Sequence, residues 1–252
     1  MGNQIPRKIH YCWFGKNEMP QSALSCIETW KEHFENYELV LWNEDNFDIT
    51  SNQYVKEAYD AKKWAFVTDY VRLFALYHYG GIYMDTDVRV FKNLDRFLEH
   101  GYFSGYESKT LPEMIHTGII GAIQYHPFCR LCLEEYDDRI FLKEDGTYNM
   151  ETNVFYITEL AKKRYDFAGK GDYQVFGEDI HIYPYEYFSG FNGEKLYGSR
   201  DIAGYDITEN TYTIHEFAGS WLPPKKKKKK SLLRRIRYTL KDMIGLSKNE
   251  KY

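Results

Sequence analysis

The chain is poor in cysteine: Cys12, Cys26, Cys129 and Cys132 are the only four among 252 residues. The one close pair, Cys129 and Cys132, lacks a second pair or nearby histidines at the spacing a four-ligand zinc site requires. The pattern is that of free thiols in a reducing compartment. Also lacking is an apolar run near the start. MGNQIPRKIHYCWFG does not read as a signal peptide. Without Ser or Thr at position six it does not read as a myristoylation signal either. No stretch approaches the roughly 18–20 apolar residues of a membrane span, so the expectation is a chain that does not cross a membrane.

What is present describes a globular protein. Hydrophobic residues at 43% and charged residues at 28% are enough to bury a core, as one α/β domain or a domain with appendages. The 24 Tyr and 16 Phe suit platforms for sugar rings, or else reflect codon bias in an AT-rich genome. The formal net charge of −4 hides an asymmetry: residues 225–252 carry 12 Lys and Arg against 2 acids, leaving a strongly acidic body. Two charge regimes suggest two jobs, with a domain at 1–224 and a basic segment at 225–252.

Strands alternate with helices along the body. KIHYCWFG reads as a buried strand, residues 20–35 as a helix and YELVLWNED as a second strand. A long helical pattern over 52–79 stops at Gly80-Gly81, and GIYMDTDVRVF follows as a third strand. Further strands are expected at 116–122, 179–188 and 212–221, with helices around 126–136 and 153–164. This alternation predicts an α/β domain with a mostly parallel sheet, whose ligands bind beyond the C-terminal strand ends.

Asp85 and Asp87 stand at such an end. On an extended strand, Tyr83, Asp85 and Asp87 would share one face. Two carboxylates that close raise each other's pKa unless a cation relieves them, and Mg²⁺ or Mn²⁺ takes oxygen ligands while leaving room for phosphate. The chemistry this suits is departure of a diphosphate. The 16 aspartates predict about one D-x-D by chance, so spacing alone is uninformative and context must carry the reading. In the preceding helix Asp69 and Arg72 lie three apart, on one face. That pair reads equally as part of a site or as a surface ion pair contributing a few tenths of a kcal/mol.

The order IPRKIHYCWFG, WNEDNF and KKWAFVTDYVRLFALYHYGGIYMDTDVRVFKNLD resembles the bacterial sugar transferases of glycosyltransferase family 32. Those enzymes carry a DXD sugar-binding region and are common in capsule and exopolysaccharide synthesis. A fainter likeness is to the glucosylating domains of large clostridial toxins. The resemblance returns in IYPYEYF and TYTIHEFAGSW. It implies a GT-A type, Rossmann-like nucleotide-sugar fold and a metal-dependent transferase that retains anomeric configuration. Trp13 then matches the ring stacked on the donor base. Asp69 and Arg72 match the pair at the donor sugar and diphosphate. Asp85 matches the acid touching ribose and sugar, and Asp87 the direct ligand of Mn²⁺ or Mg²⁺. Asn43 lies near the expected nucleotide pocket. His215 is the candidate to complete the metal site, with Glu216 as the alternative, and Trp221 would cap the diphosphate. His116-Thr117 departs from the Asn or Ser usual there. Glu178 and Asp179 are the nearest candidates for a nucleophile or base, although a front-face mechanism needs neither.

After the hexalysine at 225–230, SLLRRIRYTLKDMIG places Leu232, Leu233, Ile236, Leu240, Met243 and Ile244 within about a 120° arc, opposite a mostly basic face. That is the pattern of a helix lying on an anionic membrane, favoured over docking on the acidic body or on nucleic acid. The expectation is therefore a hexosyltransferase peripheral on the inner face of the cytoplasmic membrane. It would use a nucleotide-sugar donor, UDP-sugar favoured with GDP-mannose as alternative, and a saccharide acceptor that is lipid-linked. The rival is a non-catalytic membrane or polyanion adaptor.

Overall fold

The computed structural model describes residues 4–193 and 204–219. Strand β1 (Lys8–Cys12) and strand β2 (Glu38–Trp42) pair in parallel, joined through helix α1 (Gln21–His33). Helix α1 buries Ala23, Cys26, Ile27 and Trp30, the three-and-four spacing of one helical face. The pattern expected as one helix over 52–79 is two. Helix α2 (Gln53–Asp60) starts where the Asn52 side chain accepts from the Val55 amide at 3.2 Å. Helix α3 (Trp64–Tyr79) follows a break at Lys62, whose φ of 55° is left-handed. Gly80, at φ 62°, ends α3 as the Gly-Gly pair predicts.

Beyond it come β3 (Gly81–Met84), β4 (Val88–Val90), β5 (Tyr102–Ser108), β6 (Leu111–Ile115) and β7 (Ile119–Ala122). Helices α4 (Pro127–Glu134) and α5 (Asn153–Arg164) precede β8 (Gln174–Phe176), β9 (Ile180–Tyr183), the short helix α6 (Tyr185–Phe188) and β10 (Thr213–His215). The sheet runs β2-β1-β3-β7-β5-β9-β8, with β6 hung on β5. Only β7 and β8 run against the common direction of that path, so the α/β, mostly parallel expectation holds. One face packs Val55, Val71, Phe128 and Ile157 against the sheet, and the other packs Ile27, Trp30, Phe97 and Phe188. All four cysteines are buried and free. Among the described residues no helix is long and apolar enough to cross a membrane.

Two expectations fail instructively. GIYMDTDVRVF is not one strand: β3 ends at Met84, residues 85–87 form a turn, and β4 leaves the main sheet to pair antiparallel with β10. Likewise 179–188 is a strand followed by a helical turn, because Pro184 cannot continue the ladder and instead caps α6. Trp221 and the basic segment 225–252 lie outside the described residues.

Candidate active site

Asp85 and Asp87 converge through a tight turn rather than through strand alternation. The Val88 amide donates to the Asp85 carbonyl at 2.9 Å, closing the turn just after the central strand β3. The turn exists because β4 must depart toward β10, and that departure also brings His215 alongside. His215 Nε2 lies 3.0 Å from Asp87 Oδ1 and 3.8 Å from Asp85 Oδ2. The Ala218 amide donates to the other Asp87 oxygen at 2.8 Å. Burial alone would raise the Asp87 pKa, but the His215 charge and hydrogen bond outweigh it and hold the carboxyl at about 2. Burial conversely disfavours charge on His215, yet Asp87, Asp85 and Glu107 together raise it to about 9.

Behind the turn, Asp69 and Arg72 form a buried pair, not a surface one: Arg72 Nη2 donates to Asp69 Oδ1 at 2.9 Å. Arg72 Nη1 donates to the Thr117 carbonyl at 2.6 Å and sits 3.4 Å from Asp85 Oδ1. Its guanidinium lies over the Tyr83 ring, 4.7 Å from the centroid, while the Tyr83 hydroxyl donates to Asp85 at 2.6 Å. Burial raises Asp69 to about 6 against the pull of Arg72, with the charge of Asp85 adding to the rise. Asn153, at the start of α5, donates its side-chain amide to the Asp69 carbonyl at 2.8 Å. The segment His116-Thr117-Gly118 acts as a crossbeam: Thr117 offers its carbonyl to Arg72, and Gly118 offers its carbonyl to the Asp85 amide at 2.8 Å.

These groups line one cleft of 340 Å³, together with Trp13, Trp64, Glu107 and Phe217. The size and the mixture of apolar wall and convergent polar groups suit a small-molecule site. Trp13 lines it as expected, its indole nitrogen donating to the Asn17 carbonyl at 2.6 Å. Asn43 does not line it. Its side-chain oxygen accepts from the Asp45 amide at 2.9 Å, which folds it into its own turn. Glu216 also faces elsewhere, held by Arg89 at 2.6 and 2.9 Å. Glu178 and Asp179 are likewise absent from the cleft lining.

Among the described residues two groups have donor atoms within 4.8 Å of one another, as a metal requires: Asp85, Asp87 and His215, and separately His100, Asp179 and His181. In the second group His181 spends both ring nitrogens on Asp179 and the Tyr173 hydroxyl. It also stacks on His100 at 3.7 Å, a closed arrangement away from the cleft. The first group pairs two carboxylates with one imidazole, a donor set that suits Mn²⁺ and, less well, Mg²⁺. Beyond His116, noted only as a departure from the family pattern, Trp64, Asn153 and Glu107 escape a sequence reading. They come from a helix start, an unremarkable polar site and a strand without a local motif.

Residues 20–104, which hold Asp69, Arg72, Asp85 and Asp87, match the family described as "Glycosyltransferase sugar-binding region containing DXD motif". Inositol phosphoceramide mannosyltransferase 3 of Schizosaccharomyces pombe is 32% identical over 128 residues, covering 49% of this chain and 35% of that protein. The chain spans between a third and about half of the length of the yeast relatives it matches. Uncharacterized glycosyltransferase L373 of Acanthamoeba polyphaga mimivirus is 26% identical over 235 residues, covering 88% of this chain and 86% of that protein. Among solved structures, a glycosyltransferase involved in glycosylation of the major capsid of PBCV-1 aligns with a TM-score of 0.46 and 10% identity. That alignment covers 83% of this chain and 93% of that one. The matched span is thus similar to a glycosyltransferase sugar-binding region, and Asp85 and Asp87 of its D-x-D both line the cleft.

Proposed function

We propose that this chain is a metal-dependent glycosyltransferase of GT-A type that moves one hexose from a nucleotide-sugar donor to a saccharide acceptor. One observation carries the reading: Asp85, Asp87 and His215 bring three metal-donor atoms within 4.8 Å, in the cleft that holds the buried Asp69–Arg72 pair. Asp85, Asp87 and His215 would hold the divalent cation, whose charge would stabilise the departing diphosphate. With its pKa raised to about 9 by Asp87, Asp85 and Glu107, His215 would give up a proton on taking the cation. Arg72, fixed by Asp69 and Thr117, presents its positive charge toward the same oxygens without having to move. Trp13 offers a ring for the donor base, and the Trp221 cap expected from the sequence completes the reading from outside the described residues.

Among the described residues five carboxylates line the cleft, and each is already engaged: Asp69 with Arg72, Asp85 with Tyr83, Asp87 with His215, Glu107 with His116 and Glu151 with Arg139. This supports retention by a front-face route, in which the departing phosphate takes the acceptor proton and no enzymic nucleophile acts. The names of the yeast relatives favour a mannosyl donor, GDP-mannose over the UDP-sugars the sequence suggested, and an acceptor carried on a lipid headgroup. Residues 225–252 would then hold the enzyme on an anionic membrane at its inner, cytoplasmic face, where capsule-type glycans are also assembled on lipids.

The test is a thermal-shift and donor-hydrolysis screen of GDP- and UDP-sugars with and without Mn²⁺, alongside Asp85→Ala/Asp87→Ala. Metal-dependent stabilisation and hydrolysis with one donor, lost in the double variant, is the expected result. Folded protein that responds to no donor would leave the adaptor reading in its place.

A further inference from the structure

Two buried imidazole nitrogens beside the carboxylate turn have no hydrogen-bond partner: His116 Nε2 and His215 Nδ1. Both border the same point. A Cβ built on Gly118 would lie 2.8 Å from each of them, and the two imidazole rings are 5.1 Å apart, centroid to centroid. Only a glycine at 118 leaves the rings free to face each other. On its far side, His116 Nδ1 lies 2.7 Å from Glu107 Oε2, in a pair that is almost wholly buried. The His116 backbone is fixed as well, its amide donating to Gly105 at 2.8 Å and its carbonyl accepting from Ser104 Oγ at 2.6 Å.

Hydrogen-bond polarity then propagates through the pair. Where Glu107 Oε2 accepts, His116 donates from Nδ1, and a His116 ring carrying one proton holds it there. His116 Nε2 is left as a lone pair, directed at the space beside Gly118. A small ring rotation or one bridging water would give His215 Nδ1, across that space, the acceptor it lacks. A cation that displaced the Nε2 proton, on the nitrogen 3.0 Å from Asp87, would then meet a His215 ring that keeps its other proton on Nδ1. Imidazole ligands are commonly oriented in this way by a partner on the other nitrogen. His116 Nε2 has essentially no solvent access, so it is placed to act on His215 and not on a substrate.

We propose that Glu107 and His116 are positioning residues for the cation site, holding His215 as the Nδ1–H tautomer with Nε2 turned to Asp87 and Asp85. This rests on the cation reading of those three residues. His116, where the sequence departs from its resembled family, thus gains a use in supporting the cation rather than in touching the sugar.

The experiment measures Mn²⁺ affinity of the full chain by electron paramagnetic resonance of free Mn²⁺, for wild type, Glu107→Gln and His116→Ala. Circular dichroism and thermal melts establish that each variant folds. Glu107→Gln keeps the shape but can donate to His116 Nδ1, which moves the His116 proton to Nε2 and turns a donor toward His215. His116→Ala keeps every carboxylate, so a loss there is not a loss of charge. Both variants are expected to bind Mn²⁺ roughly 10- to 100-fold more weakly. Nitrogen-15 spectra of the metal-free wild type should show His116 protonated on Nδ1 alone. Wild-type binding matched within twofold by both folded variants overturns the relay and leaves the cation reading standing. His116 protonated on Nε2 in wild type also overturns it. Wild type that binds no Mn²⁺ overturns both.

Discussion

Asp87→Asn in metal-free protein isolates the Asp87–His215 ion pair. With His215 raised to about 9 from an ordinary 6.5, the ring binds a proton in the folded state that the unfolded chain holds weakly at neutral pH. A raised folded pKa contributes stability that is fully present below 6.5 and lost as pH rises through about 9. At roughly 1.4 kcal/mol per pH unit, the pair contributes about 3 kcal/mol at pH 7 and less than about 1 kcal/mol near pH 9. The depressed Asp87 describes the same bond from its other end and is counted once. In Asp87→Asn the unpaired imidazole can shed its proton, which caps the loss at the value for that pH and spares the protein an uncompensated buried charge. Urea denaturation in EDTA at pH 5.5, 7 and 9 should therefore show a gap between wild type and variant that narrows steeply with pH. A gap of equal size at all three values would refute the ion-pair reasoning and assign the loss to the hydrogen bond from Ala218.

Arg72→Lys keeps the charge but not the fork that reaches Thr117, Asp69 and Asp85 together, so donor turnover should fall roughly 100-fold while the chain still folds; steady-state hydrolysis reads this directly. Trp13→Ala should weaken nucleotide binding about 10-fold through lost stacking and leave the melting temperature nearly unchanged, because the ring is only half-buried; calorimetric titration with the nucleotide checks both. Gly118→Ala drives a methyl against His116 and His215 at 2.8 Å and should cost about 1–3 kcal/mol of stability along with Mn²⁺ affinity, measured by denaturation and metal titration. Removal of residues 225–252 should abolish binding to vesicles containing anionic lipid and leave hydrolysis of the free donor intact; retained vesicle binding would discard the membrane role.

Much of the scaffold is written locally. The alternation from β1 to β3, the three-and-four spacing that buries Ala23, Cys26, Ile27 and Trp30, and the glycine that ends α3 follow from neighbours along the chain, where backbone preference and periodicity act. So does the nomination of Asp69, Arg72, Asp85 and Asp87, which all fall within 19 residues of one another. The sequence could not decide how two carboxylates two positions apart would meet a histidine 128 residues beyond Asp87. That depends on β4 leaving the main sheet for β10, a non-local pairing without a local signature. The same pairing turns His215 inward and sends Glu216 to Arg89, a choice of one residue that strand alternation makes only once the register is fixed. Asn43 illustrates the opposite case: the sequence sets it near the expected nucleotide pocket, but a side chain free to bond its own turn took that partner. Glu107 and His116 carry no motif at all. They meet because β5 and β6 pair antiparallel and bring residues nine apart into a dry interior, where a carboxylate and an imidazole must satisfy each other. Sequence thus determined which chemistry this protein carries, and tertiary structure decided which groups share it, because hydrogen bonds and buried charge depend on distances that only the folded sheet sets.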